Sequence, residues 1–178
     1  MSLGFSTLIA PALVVDEQSR VLILGASSGK TSARKGQHYA GHGNVFWNVL
    51  GKILGFQPDL AYSDRIDRLR KCGIAIWNVC GVASRSASSY RAEVAYPNDF
   101  AALFKSHPAI DTILFNGVEA ERIYGHRVLP RLHCSAYNMT SLILPSTSPL
   151  HSKISFEEKR AQWLAAFERA KITPKFTE

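Results

Sequence analysis

Four short apolar runs divide this chain, and each has the length of a buried strand. They cover residues 20–25, 73–79, 110–115 and 139–144. Runs of branched apolar residues that end at glycine or polar residues are typical of parallel strands buried on both faces. The pattern therefore predicts about four parallel strands.

Between these runs, apolar residues recur with the period of an amphipathic helix. The clearest segments are residues 46–54 and 60–69, and residues 117–124 can form another short helix. Asp99 and Ser155 stand where helix starts are expected, the latter with the spacing of a capping box. The alternation of strands and helices predicts a single-domain, three-layer α/β/α fold around a central, roughly four-stranded parallel sheet.

One domain of ordinary size accommodates all 178 residues. We expect residues 19–171 to form it, with a loosely held N-terminal extension (1–18) and C-terminal tail (172–178). No apolar run approaches the roughly 18 residues of a membrane span, and no lysine or arginine precedes Arg20, so we expect neither a span nor a signal peptide. Cys72, Cys80 and Cys134 lack disulfide or metal spacing, which favours a reducing cytoplasm.

Two polar segments, residues 36–47 and 144–150, follow apolar runs although they are far apart in the chain. In an open parallel sheet, the loops that leave the carboxyl ends of the strands converge on one crevice, where such folds bind ligands. We therefore expect these two segments to meet and to form the functional site.

The motifs in these segments occur in a recognisable order. Gly25 starts the loop after the first run, and Gln37-His38-Tyr39-Ala40 and Asn44-Val45-Phe46-Trp47 follow it. Residues 76–79 read Ile-Trp-Asn-Val, 115–117 read Phe-Asn-Gly, and 144–149 read Leu-Pro-Ser-Thr-Ser-Pro. In these motifs the chain resembles the uracil-DNA glycosylase superfamily, most closely the branch that includes hypoxanthine-DNA glycosylases and lies near the mismatch-specific enzymes. The resemblance extends over nearly the whole predicted core.

Three positions depart from the pattern of that branch. Ser28 stands where the family has proline in the first loop, and Asn78 replaces the usual acid after Ile-Trp. The family's His-Pro is His42-Gly43 in this chain. These departures bear on the substrate rather than on the fold.

The resemblance implies a monofunctional DNA glycosylase that excises a deaminated base and leaves an abasic site, without a metal or other cofactor. We expect uracil as the first candidate base and hypoxanthine as the second. The expected partner is DNA containing a damaged base, and the expected product is the free base. We further expect a cytoplasmic monomer with no membrane association.

Base excision requires that the target base leave the duplex, be held by its edge and stack on an aromatic ring. Phe46 is the predicted ring, although it also fits the apolar face of a helix. Asn116 can read the base with its amide, although a strand-end turn explains it equally well. Gly25, Tyr39 and Asn78 complete the predicted base-binding set.

Asn44, His42 and Ser27 form the predicted catalytic set. Asn44 offers both a donor and an acceptor and can position a water against the anomeric carbon, although an N-cap is the alternative. No carboxylate lies between residues 25 and 47, so His42 and His38 are the titratable candidates in this loop. This composition favours a weakly activated water and a departing base stabilised by fixed dipoles.

The predicted DNA-binding residues are Ser146, Thr147, Ser148, Leu150, Lys30 and Arg34. Hydroxyl groups commonly donate to phosphate oxygens, and an apolar side chain can enter the gap that a flipped nucleotide leaves. The net charge of +7, with Lys30, Arg34 and Lys35 close together in the first polar loop, suits a phosphate backbone. Basic residues that merely keep the protein in solution would give the same charge.

Two alternatives remain at this point. A catalytically weak member could sense damaged or single-stranded DNA without releasing a base, and the departures at Ser28, Gly43 and Asn78 motivate it. A nucleotide-handling enzyme is suggested by residues 25–31 (Gly-Ala-Ser-Ser-Gly-Lys-Thr). A phosphate-binding P-loop needs four residues between its glycines, however, and this segment has three.

Overall fold

The four apolar runs form one parallel sheet, as the sequence predicts. The last run is not the buried strand that we expected, because it lies at the sheet edge and exposes Thr140, Ser141 and Ile143. In a computed structural model, which describes residues 5–86, 94–132 and 138–173, the four runs are β2 (Val21–Gly25), β3 (Ile74–Asn78), β6 (Thr112–Asn116) and β7 (Thr140–Leu144). The strand order is β3-β2-β6-β7, and every neighbouring pair is parallel. All four strands therefore end at the same edge of the sheet.

A second, antiparallel sheet was not predicted from the sequence. It contains β1 (Phe5–Ile9), β4 (Cys80–Ser86) and β5 (Val94–Pro97) in the order β1-β4-β5. The β4 segment reads Cys-Gly-Val-Ala-Ser-Arg-Ser, which has neither a continuous apolar run nor a clean alternation. Its strand conformation depends on pairing with β1 and β5, which the local sequence does not reveal.

The N-terminal segment is held in place more firmly than we expected. β1 pairs with β4, and the backbone N–H of Ala10 donates to the carbonyl of Gly81 at 2.7 Å. Val14 and Ile76 exchange two backbone hydrogen bonds of 3.0 and 2.9 Å. The described part of residues 1–18 is therefore not loosely held, because its backbone groups pair with both sheets. The domain boundary at residue 18 stays a prediction, and Cys134 and residues 174–178 lie outside the described residues.

Six helices surround the sheets in the described part of the chain. They are α1 (Lys30–Lys35), α2 (Phe46–Leu54), α3 (Tyr62–Lys71), α4 (Phe100–Ser106), α5 (Val118–Arg127) and α6 (Phe156–Arg169). Asp99 caps α4 and Ser155 forms a capping box with Glu158, as the sequence predicts. Lys30, Arg34 and Lys35, which we assigned to a loop, lie instead on α1. None of the described helices is long and apolar enough to cross a membrane.

The parallel sheet separates two hydrophobic cores. Val21 and Ile23 of β2 face one core with α2, α3 and α6, and Leu22 and Leu24 face the other with α4 and α5. Successive side chains of a strand point to opposite faces, so a strand that is covered by helices on both sides must be apolar throughout. The predicted three-layer α/β/α fold is confirmed.

Candidate functional site

A cleft of about 1200 Å³ lies at the carboxyl edge of the parallel sheet. Its walls come from the loop after β2, the loop after β7 and one face of α5. The two polar segments meet there, since the backbone N–H of Val45 donates to the carbonyl of Thr147 at 3.1 Å. The predicted convergence of the two loops is therefore confirmed.

Three strand ends form the floor of the cleft. Gly25 of β2 pairs with Asn78 of β3, and Asn116 ends β6. A Cβ atom on Gly25 would lie 2.9 Å from Asn78 Nδ2 and 3.2 Å from the hydroxyl oxygen of Tyr39. The position favours glycine, because a larger side chain would displace the amide and the phenol that meet at this point.

Tyr39 provides the aromatic surface of the cleft. Its ring stacks on Phe46 with 3.7 Å between the ring centroids and 20° between the ring planes. The residue is partly exposed and lines the cleft, although its hydroxyl group is buried without a hydrogen bond of good geometry. Burial raises the pKa of Tyr39 far above its ordinary value, and the nearby Asn116 amide offsets this only in part. The phenol is therefore neutral at physiological pH.

Phe46 does not have the access that we predicted for the base-stacking ring. Its side chain is 0% exposed, and Tyr39 covers one face. Trp47 and Trp163 meet the ring edge-on at centroid distances of 5.1 and 5.9 Å. An extruded base cannot reach Phe46 while Tyr39 lies over it, so the geometry favours Tyr39 as the stacking surface.

Asn116 and Thr147 bind each other rather than the open cleft. Asn116 Nδ2 donates to Thr147 Oγ1, and the backbone N–H of Thr147 donates to Asn116 Oδ1, both at 2.8 Å. Thr147 is 0% exposed, so its hydroxyl cannot donate to a phosphate in this conformation. The pair instead fixes the loop after β7 to the end of β6. This geometry disfavours our DNA-binding assignment of Thr147 and leaves Asn116 only its remaining N–H and lone pair for a base.

Asn44 stands at the mouth of α2 and lines the cleft. Its Oδ1 accepts from the backbone N–H of Phe46 at 3.0 Å, although the N-cap of the helix is Val45. Among the described residues, the Nδ2 group of Asn44 has no hydrogen-bond partner, so it can donate to a ligand. Asn44 therefore stabilises the start of α2 through its oxygen, while its amide group stays available for the predicted catalytic role.

Gly43 shapes the turn that presents Asn44. The backbone N–H of Asn44 donates to the carbonyl of Gly41 at 3.1 Å, and Gly43 has a φ of +73°. A positive φ at this turn position favours glycine, and proline is fixed near −65°. The family's proline thus cannot replace Gly43 without a different turn.

Replacing Gly43 by alanine is expected to destabilise the protein by about 1–2 kcal/mol, because the left-handed conformation is strained for a residue with a Cβ. That Cβ would also lie 3.4 Å from Pro149 Cβ. Urea unfolding measures the change. Gly41→Ala is the matched control, because a Cβ at Gly41 meets nothing within 4 Å. Equal stability of the two variants would contradict this account of the turn.

His38 is buried and is held by hydrogen bonds of its ring and its backbone. Its Nε2 lies 2.8 Å from the carbonyl oxygen of Ala12, which can only accept, so Nε2 carries a proton. The backbone of His38 accepts from Trp47 Nε1 and donates to the hydroxyl of Tyr62, both at 3.0 Å. Burial lowers the pKa of His38, and the hydrogen bonds of Ala12 and Asn78 oppose that change less strongly. This environment favours a neutral, structural imidazole over a catalytic base.

Neutral His38 is expected to make stability depend on pH. Its folded-state pKa lies below the ordinary value of 6.5, so the unfolded chain binds the proton more tightly. The contribution to stability is therefore complete above pH 6.5 and is lost as the pH falls from there toward the folded-state pKa. We expect the free energy of unfolding to fall less steeply over that range in His38→Gln. Identical slopes for that variant and the wild type would exclude His38 as the source, and His151→Gln is the exposed control.

The other predicted residues line the cleft, with the exception of Arg34. His42, Ser27 and Lys30 line the cleft, with His42 and Lys30 exposed to solvent. Ser146 and Ser148 also line it and are partly exposed. Arg34 is exposed on α1 but is not part of the cleft wall. The assigned roles of these residues stay predictions.

The loop after β7 is tied to α6 at both ends. Trp163 Nε1 donates to the carbonyl of Pro145 at 3.1 Å, and the buried Lys159 Nζ donates to that of His151 at 2.8 Å. Between these ties, Leu150 is 64% exposed at the cleft rim. The loop thus presents an apolar side chain to solvent, as the wedge prediction requires.

One wall of the cleft, a face of α5, was not predicted from the sequence. The residues of this wall are Val118, Glu119, Arg122, Ile123, His126 and Arg127. Their spacing by three and four residues places them along one side of the helix. The spacing was visible in the sequence, but only the tertiary structure shows that this side faces the cleft.

The cleft contains one carboxylate among its described residues. Glu119 accepts two hydrogen bonds from Arg122, at 2.8 and 2.9 Å, so its charge is paired. In the described ranges, no group of three or more histidine, cysteine or acidic residues could hold a metal ion. The groups that line the floor are therefore neutral amides, a phenol and backbone dipoles.

Comparison with known proteins agrees with this architecture. A family model described as the uracil DNA glycosylase superfamily matches residues 13–169. The chain is 30% identical over 158 residues to the hypoxanthine DNA glycosylase of Methanosarcina barkeri, covering 88% of this chain and 95% of that protein. It is 31% identical over 156 residues to the hypoxanthine DNA glycosylase of Methanosarcina acetivorans, covering 86% and 94% respectively.

A solved structure has the same fold. The solution NMR structure of a candidate uracil DNA glycosylase from Methanosarcina acetivorans superimposes with a TM-score of 0.78 at 28% sequence identity. The match covers 93% of this chain and 99% of that one. Since the family match spans nearly the whole described domain, the chain belongs to the uracil DNA glycosylase superfamily.

Proposed function

We propose that this DNA glycosylase removes hypoxanthine from DNA by hydrolysis of the N-glycosidic bond, and that uracil is the second candidate base. Two relatives that match most of the chain are named hypoxanthine DNA glycosylases, and on this ground we place hypoxanthine before uracil, which the sequence alone placed first. Uracil remains a candidate because the superfamily as a whole is named for it. DNA is the substrate in either case.

The observation that carries the proposal is the convergence of Tyr39, Asn78 and Asn116 at the floor of one cleft. A flipped base needs an aromatic surface and polar groups that match its edge. Tyr39 offers the surface. The amide of Asn78 hydrogen-bonds to His38 and keeps at least one N–H and one lone pair for the base. Hypoxanthine and uracil both place a carbonyl beside an N–H, and an amide side chain complements that pair.

Tyr39→Phe is expected to keep base release, because it retains the ring and removes a hydroxyl group that lacks a good hydrogen bond. Tyr39→Ala is expected to lower release by about 10- to 100-fold, since stacking of one base contributes about 1–3 kcal/mol. Single-turnover release from a lesion duplex measures both. Equal losses in the two variants would show that the hydroxyl, rather than the ring face, is the group that matters.

The chemistry that fits this cleft relies on weak activation of water. Asn44 Nδ2 is available to hold the water or the base. The paired Glu119 is an unfavourable general base because Arg122 stabilises its charged form. As the bond between sugar and base breaks, its electron pair leaves with the base. Water adds its oxygen to the anomeric carbon as a hydroxyl group, and the proton that it loses neutralises the departing base. Preorganised amide and backbone dipoles stabilise the charge on the departing base.

The DNA strand is expected to follow the rim of the cleft. Lys30 and the hydroxyl groups of Ser146 and Ser148 are accessible and can bind phosphate oxygens. Leu150 is placed to fill the gap that the flipped nucleotide leaves. The two hydrogen bonds between Thr147 and Asn116 keep this loop next to the floor of the cleft, where the base is expected to bind.

The direct test is release of base from matched duplexes that contain one hypoxanthine, one uracil or no lesion. Alkaline strand scission reports the abasic site, and the same duplexes incubated without protein serve as the control. Faster release of hypoxanthine supports the proposal, whereas release of uracil alone would establish the second candidate. Salt-sensitive binding without release of either base would favour the sensor of damaged DNA, which the departures at Ser28, Gly43 and Asn78 motivate.

A further inference from the structure

Val118 is an exposed apolar residue on the wall of the cleft that the sequence did not reveal. It is 66% exposed and is the first residue of α5. Among the described residues that line the cleft, Val118 and Leu150 are the exposed large hydrophobic side chains. Single exposed hydrophobic residues are common on protein surfaces, but two on the rim of one DNA-binding cleft require an explanation.

The backbone that carries Val118 is fixed against the loop after β7. The N–H of Gly117 lies 2.9 Å from the carbonyl of Phe115 and 3.0 Å from that of Leu144. Gly117 has a φ of +100°, and a Cβ there would lie 2.9 Å from Ser146 Cβ. The start of α5 therefore packs directly on the loop that presents Ser146, and Val118 lies next to the expected path of the strand.

Leu150 is held less firmly. Its N–H donates to Ser148 Oγ at 3.3 Å, and residues 149–153 are all exposed. A side chain at the start of a ten-residue helix is positioned more precisely than one on an exposed loop. The two apolar side chains thus differ in how their backbone is held, although both border the same cleft.

We propose that Val118 is a second wedge residue, which packs against the base pair beside the extruded nucleotide while Leu150 enters the vacated gap. Apolar side chains that press on or enter a base stack offset the cost of unstacking. The proposal rests on the proposed base excision, because only a flipped nucleotide creates the gap. It gives the α5 wall a function in opening the duplex rather than in the chemistry.

The test compares duplex DNA with DNA that needs no opening. Val118→Ser is assayed in single-turnover base release on a fully paired lesion duplex and on the same duplex with the lesion inside an unpaired bubble. We expect a loss of about tenfold on the paired duplex, on the scale of the burial lost with one apolar side chain, and less than a twofold change on the bubble. Val118→Ile should keep the wild-type rate on both.

Val82→Ser is the matched control, because Val82 is an exposed valine outside the cleft. Equal losses by Val118→Ser on both substrates, or no loss on either, would overturn the wedge assignment. A failure of the proposed function is distinguishable from a failure of the wedge assignment, because the wild-type protein would then release no base from either substrate. In that event, fluorescence of 2-aminopurine beside the lesion reports the unstacking itself. A signal that is smaller with Val118→Ser than with wild type supports the wedge, and equal signals reject it.

Discussion

Replacing Asn44 by alanine is expected to lower base release by about 10²- to 10³-fold, the usual effect of removing one preorganised donor from an active site. Asn44 lines the cleft, and no described residue accepts a hydrogen bond from its Nδ2 group. The substitution also removes the acceptor for the Phe46 N–H, which costs about 1 kcal/mol of stability. DNA binding is expected to change only a few-fold. Single-turnover kinetics and titration of labelled DNA measure the two quantities separately.

Two further variants separate the chemistry of Asn44 from its structural role. Asn44→Asp keeps an oxygen for the Phe46 N–H but has no amide donor, so it should retain stability and lose base release. Asn48→Ala removes the same kind of side chain from an exposed position of α2 and should change neither. Full activity in folded Asn44→Ala would exclude Asn44 from the catalytic set.

Replacing Phe46 by alanine is expected to destabilise the protein by about 3–5 kcal/mol, the range for truncating a buried phenylalanine. The ring is fully buried among Tyr39, Trp47 and Trp163. Its loss leaves a cavity directly beneath Tyr39, so base release should fall together with stability. Urea unfolding and base release measured on the same preparation test this linkage.

Phe104→Ala is the matched control for Phe46, because Phe104 is only partly buried and packs in the core on the opposite side of the sheet. It should cost less stability and leave base release unchanged. If Phe46→Ala instead kept wild-type stability but lost base release, Phe46 itself would contact the base. That outcome would restore the assignment that the sequence favoured.

Phe46 and Asn44 have different roles in the cleft. Phe46 supports Tyr39 from below, and Asn44 projects from the turn at the start of the same helix. Asn116 and Thr147 tie the second loop to the sheet edge, and Val45 ties it to the first. Such a network keeps the polar groups in place before DNA arrives, which is what preorganised stabilisation of a departing base requires.

The apolar runs of the sequence determined the parallel sheet and its two helical layers. Strands buried on both faces must be apolar throughout, and this requirement is visible in single runs such as β2 and β6. The cap residues Asp99 and Ser155 likewise identified two helix starts, because a capping hydrogen bond is local to a few residues. Because parallel strands end at the same edge of their sheet, the predicted sheet was enough to place the two loops together.

Only the tertiary structure decided which side chains reach the cleft. Phe46 and Tyr39 are both aromatic residues of the first loop region, and local sequence does not show that one covers the other. The same limit applies to Thr147, which is buried against Asn116, and to Val118, which is exposed on the α5 wall. Burial depends on contacts between segments that are distant in the chain, whereas periodicity records only which face of its own element a residue occupies.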